Sequence, residues 1–156
     1  MNEKKSHVGR WWYQWCRLAL LCSVVIGFCG CSLLSVISDF DQDSLNQMQL
    51  VQKKIDFMFT TLQFSDKSER QFSKFKNMYI DISVEINALK SMQLVRSMND
   101  LTNQQVDTLI KLWQQEHQAH KQKDGMSDII INLHRSQYRR LMMAIIKGEE
   151  AKPQEN

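Results

Sequence analysis

The sequence predicts an all-α protein, an antiparallel bundle of about four helices, and three observations predict it. Beyond residue 31 the only glycines are Gly125 and Gly148 and the only proline is Pro153, too few breakers for the many turns of a β-sandwich. Apolar residues in the same region recur at spacings of three and four, the period of one helix face. Four such stretches are joined by short polar links rich in capping residues, as in consecutive antiparallel helices.

The bundle is expected over residues 43–149. The first helix starts near Asp43 or Ser44, whose side chains can accept from free backbone N–H groups. Leu45, Met48, Val51, Ile55, Met58, Phe59 and Leu62 form its apolar face, and "FSDKSER" ends it. The second helix carries the 3-4-3-4-3 seam Phe72, Phe75, Tyr79, Ile82, Ile86 and Leu89. Within it "IDISVEI" (80–86) alternates as a strand would, but helical spacing on both sides favours helix. Ile80 and Val84 then make a second apolar face, suited to a helix touching two neighbours. Asn99 and Thr102 offer caps for a third helix bearing Val106, Leu109, Ile110, Leu112 and Trp113. Gly125 supplies the turn of "KQKDGMS", and Ser127 caps a fourth helix with Ile130, Ile131, Leu133, Tyr138, Leu141, Met142, Ile145 and Ile146. Residues 150–156 read as a disordered tail.

All four cysteines lie at or before residue 31. Lys4, Lys5, Arg10 and Arg17 precede an uncharged run over residues 18–38, "LALLCSVVIGFCGCSLLSVIS". A basic segment followed by an apolar core is how a bacterial export signal is built, so the chain beyond it is expected outside the cytoplasm. In "FCGC" (28–31), Gly30 immediately precedes Cys31. This stretch resembles the lipobox of bacterial lipoprotein precursors, with Phe28 where leucine is usual and Cys29 where a small residue is usual. The resemblance implies a signal peptide over residues 1–30, cleavage, a lipid on Cys31 and a tether over residues 31–42. It also implies, with Ser32 rather than aspartate after the cysteine, sorting to the periplasmic face of the outer membrane. The alternative is an uncleaved anchor over residues 18–38, long enough at 1.5 Å per residue to cross the inner membrane once. "WWYQW" would then form its interfacial aromatic belt. Both readings hold the rest of the chain at a membrane.

Of 20 basic and 17 acidic residues, four and one fall within residues 1–31, which leaves 16 of each beyond. That balance offers no basic surface for nucleic acid. With Cys31 the last cysteine, no disulfide framework is available either, and stability must come from an apolar core.

The best chemical constellation is histidine. His117 and His120 extend the third helix's stripe and His134 the fourth's, and a hairpin at Gly125 is expected to bring His117 roughly opposite His134. With Glu116 these could hold zinc or copper, although "EHQAH" is not the H-E-x-x-H motif. Neither a metal nor another cofactor is expected, and the histidines read more simply as hydrogen-bonding groups near a bundle end. Asp81 and Glu85 read as a solvated face rather than an acid–base pair. No G-x-S-x-G elbow or phosphate-cradling glycine loop exists, so an enzyme is not expected. Arg135, Arg139 and Arg140 could meet lipid phosphates but read as partners of helix acids. Met92, Met98, Met126, Met142 and Met143 read as core fillers, or else as a groove for a partner. Five apolar residues crowd positions 141–146, more than one seam can take, so Met143 and Ile146 are expected to be exposed for a protein partner.

The expected function is that of a membrane-anchored binding or assembly accessory. Its format, lipid anchor plus four-helix bundle, is similar to that of the small helical pilotins of bacterial secretion systems. Two alternatives stand beside it: a periplasmic metal-binding or metal-sensing protein using the three histidines, and a phage or plasmid surface lipoprotein for lysis or exclusion.

Overall fold

The computed structural model describes residues 37–154. The signal or anchor segment, Cys31 and the first part of the tether lie outside the described residues. Four helices follow one another: α1 (Gln42–Phe64), α2 (Phe72–Leu94), α3 (Asp100–Lys123) and α4 (Asp128–Glu150), with a single 3-10 turn at Lys67–Glu69. α1 packs on α2 and α4, and α3 packs on α2 and α4, so the helices form a closed ring of four antiparallel neighbours. Among the described residues no helix is long and apolar enough to cross a membrane.

The core is largely the predicted one, except that Leu133 of α4 is 54% exposed. Every residue of the expected α1 face is buried, and so are Phe75, Tyr79, Ile82, Ile86 and Leu89 of α2, with Phe72 packed at their margin. Val106, Leu109 and Trp113 enter from α3; Ile131, Tyr138, Met142 and Ile145 enter from α4. Rings knit the centre: Trp113 stands edge-on to Tyr138 at 5.7 Å, and Phe59 is tilted against Tyr138 at 5.5 Å. "IDISVEI" is helical throughout, but Ile80 and Val84 are 52% and 61% exposed: they line a surface groove beside Trp113 and His117 of α3 rather than being buried by it.

The boundaries differ from expectation for identifiable reasons. Asp41, not Asp43 or Ser44, caps α1: its carboxylate accepts from the backbone N–H groups of Asp43 and Ser44 and from the Ser44 hydroxyl at 2.6 Å. Asn99 precedes α3 but gives no side-chain cap, because its amide is turned inward to Gln93. Ser127 caps α4 as predicted, accepting from the Ile130 N–H. At the α3–α4 turn the left-handed residue is Asp124 (φ 48°), not Gly125, and its carboxylate accepts from Phe72 N–H at 2.9 Å. Aspartate tolerates that conformation because its short polar side chain bonds locally.

Two segments expected to be loose are docked. Within the expected tether, Ser38 N–H donates to Met98 O at 3.0 Å and Phe40 N–H to Pro153 O at 2.7 Å. At the expected tail, the helix continues to Glu150 and Lys152 is only 8% exposed, against the wholly buried Glu149 that ends the expected bundle. Polarity suggested a solvated tail, but Lys152 is held by Glu149 one turn back and by Asn99, far away in sequence. We predict that residues 37–156 fold alone, and that a version ending at residue 150 loses about 2–3 kcal/mol of stability by urea unfolding, because Glu149 loses its Lys152 partner. An unchanged midpoint would return these residues to the solvent.

Candidate functional site

Each end of the bundle is closed by a polar knot. At the end where α1 and α3 begin and α2 and α4 finish, the Glu149 carboxylate accepts from Asp41 N–H at 2.9 Å, Arg96 Nη2 at 2.8 Å and Lys152 Nζ at 2.6 Å. Lys152 also donates to Asn99 Oδ1, which accepts from the Ser38 hydroxyl. Gln93 donates to Ser44, and Arg96 reaches Ser44, Gln93 Oε1 and Asp39 O. Burial alone would raise the Glu149 carboxyl, but the bonds from Arg96 and Lys152 outweigh it and hold the group below its ordinary value. At the other end Arg70, 4% exposed, donates to Ser65 O, Met126 O and Asp128 Oδ1, tying the termini of α1, α2 and α4.

The three histidines go to separate places. His120 is 1% exposed; its Nε2 donates to Arg70 O at 2.8 Å, which leaves Nδ1 to accept from the Tyr79 hydroxyl at 3.1 Å. Burial lowers its pKa. His117 lies edge-on to Phe72 and Tyr79, on the α2 side of α3. It therefore does not face His134, whose ion-pair partner is the buried carboxylate of Glu116. One residue of register separates the two outcomes: Glu116 points at α4 and His117 at α2. Burial pushes the Glu116 carboxyl up, opposed by the His134 charge. Among the described residues no group of three or more histidine, cysteine, aspartate or glutamate side chains gathers as a metal site requires.

The acids and arginines singled out in the sequence hold helices together. Lys54 donates to Asp81 at 2.9 Å and to Glu85 at 2.6 Å, clamping α1 to α2. The bonds from Lys54 and Gln47 hold the Glu85 carboxyl below its ordinary value, the opposite of what a general acid at neutral pH needs. Arg135 and Arg139 both bind Asp56 of α1, and Arg140 donates to Ser136.

An open groove of about 530 Å³ runs between α1 and α2, with Leu50, Phe57, Met78 and Ile82 among its lining beside Lys53, Lys54, Asp56 and Asp81. Leu50, Phe57 and Phe64 are 37%, 62% and 86% exposed, and their seven-residue spacing sets them in one stripe along α1. The site expected on α4 is less continuous: Met143 is 45% exposed, but Ile146 packs against the core. Nor do the methionines form one groove, since Met126 and Met142 are buried while Met98 is exposed in the α2–α3 turn and Met143 on α4. The Leu50–Phe57–Phe64 stripe was missed, although apolar residues at heptad spacing off the main seam are visible in the sequence.

Comparison with known protein families, with curated proteins and with solved structures finds no match for this chain.

The His120 geometry makes a prediction about pH. A buried imidazole whose folded-state pKa is lowered binds fewer protons folded than unfolded, so its contribution is present at neutral pH and fades as pH falls below about 6.5. Wild type should exceed His120→Asn by about 1–3 kcal/mol near neutrality, and the gap should narrow by about pH 5. Urea midpoints across that range check it; a gap that stays constant contradicts the buried neutral tautomer.

Proposed function

We propose that this chain is a membrane-tethered, extracytoplasmic lipoprotein that acts as a protein-binding accessory rather than an enzyme, capturing an amphipathic helix in the α1–α2 groove. The observation that carries this reading is the Leu50–Phe57–Phe64 stripe, uncovered by any helix of the bundle. It extends about 21 Å along α1, the length of a four-turn helix. A groove between two helices that combines apolar side chains (Leu50, Phe57, Met78 and Ile82) with charges of both signs suits a helix presenting one apolar stripe. Contiguous exposed apolar surface on a folded domain marks a contact site.

The docked segment sharpens the anchoring half of the proposal. Ser38 is already hydrogen-bonded to the bundle, so only seven positions separate it from Cys31, at most about 25 Å when extended. A lipid on Cys31 would hold the domain against its own membrane and raise its effective concentration toward a partner there.

Two measurements test the two halves. Metabolic labelling with a fatty-acid analogue should mark wild type and not Cys31→Ser; retained label, or a mature protein still beginning at Met1, contradicts lipidation. A photo-crosslinking amino acid at position 57 should form an adduct with one protein partner. Leu50→Asp with Phe64→Asp should reduce that adduct at least about tenfold while unfolding changes by less than about 0.5 kcal/mol. An adduct that survives the double change removes the groove from the reading.

A further inference from the structure

Another apolar surface lies at the end of the bundle, away from the α1–α2 groove. Leu94, Val95, Met98 and Leu101 fall within eight positions around the α2–α3 turn and are 61%, 85%, 54% and 66% exposed. None of them lines the α1–α2 or the α2–α3 groove. A turn between two helices in water ordinarily carries polar residues and glycine. Here the left-handed position after α2 is held by Met98 (φ 53°), where glycine or asparagine would be conformationally cheaper. The chain thus keeps an exposed apolar side chain at a position that disfavours it.

The place of this tip is specific. Ser38 N–H is hydrogen-bonded to Met98 O at 3.0 Å, so the first described residues of the chain lie against this turn. The sequence up to Ser38 contains the uncharged run over residues 18–38. The nearby cations do not face outward: Arg96 is spent on Gln93, Ser44, Asp39 O and Glu149, and Lys152 on Asn99 and Glu149. What the tip offers is apolar contact; the exposed charge among residues 94–101, Asp100, is an acid and does not bind phosphate.

We infer that the α2–α3 tip is a lipid-contacting surface: Leu94, Val95, Met98 and Leu101 insert into the interfacial region of the bilayer that carries the tether. This rests on the membrane tethering proposed above, but not on the partner groove. Four apolar side chains on a short convex turn suit a fluid surface that closes around them, whereas a docking helix needs a channel. Tethering and insertion reinforce each other, since a short tether keeps the tip within reach and insertion limits rotation of the domain. The bundle would then stand with its α2–α3 end on the membrane and its α1–α2 groove running away from it.

The test uses the full chain in vesicles of phosphatidylethanolamine and phosphatidylglycerol with brominated acyl chains, carrying one fluorescent amino acid at position 95, 101, 57 or 143. Quenching should be several-fold stronger at 95 and 101 than at 57 and 143, and unchanged at high salt. Met98→Asn with Leu94→Gln should weaken quenching at 101 without lowering the thermal midpoint, because asparagine accepts the left-handed turn. A chain that sediments with vesicles but shows equal or absent quenching at 95 and 101 overturns the inference and leaves tethering intact. Quenching at 57 instead would place the bilayer over the groove and overturn both this inference and the partner reading. Energy transfer between labelled copies at 95 would assign the tip to self-association, and a chain that stays soluble would remove the tether itself.

Discussion

A carboxylate with no solvent exposure organises one end of this molecule. Glu149 is wholly buried, and a lone buried carboxylate would cost several kcal/mol; three donors offset that cost. Each donor comes from a different part of the chain. Asp41 N–H brings the start of α1, Arg96 the turn after α2, and Lys152 the residues beyond α4. Remove the charge and two cations lose their counterion within a crowded polar cluster. The docking of residues 38–41, the cap of α1 and the α2–α3 turn therefore depend on one side chain.

The opposite end uses Arg70 in the same way, with an arginine at the centre and carbonyl and carboxylate oxygens around it. Fastening both ends with long-range polar contacts fixes the register of the helices. The flanks then carry less of that burden. Each helix gives one seam to the core, and α1 and α2 each carry a second stripe that the ring of four leaves uncovered: Leu50, Phe57 and Phe64 on one, Ile80 and Val84 on the other. Surfaces of this kind are available for contact without any part of the core being opened. Chemistry is less well served, because Asp81, Glu85, Arg135 and Arg139 are engaged in pairing the helices.

The helices and their buried faces were legible in the sequence because burial follows a local period. Leu45 to Leu62 shows this best: seven named positions and seven buried side chains. The polar knots were not legible, because Glu149, Arg96 and Lys152 look like solvent residues until the chain folds, and nothing local marks long-range partners. The histidines failed for a related reason. A stripe argument fixes a side chain's direction only to within the width of a helix face, and Glu116 and His117 straddle the boundary between two neighbours. On α4, Met142 rather than Leu141 occupies the deepest position, which moved Ile146 inward and left Met143 without a contiguous partner patch. The stripe at Leu50, Phe57 and Phe64 was present at heptad spacing but overshadowed by the stronger seam beside it.

The dependence on Glu149 can be measured directly by hydrogen exchange on the full chain and on Glu149→Gln. Exchange of the amides of residues 38, 40 and 41 should accelerate at least about tenfold, equivalent to about 1.4 kcal/mol, while amides near Ile82 and Leu109 keep most of their protection. Unchanged exchange at residues 38, 40 and 41 in a folded Glu149→Gln protein would contradict the claim that this carboxylate holds the entering chain to the bundle.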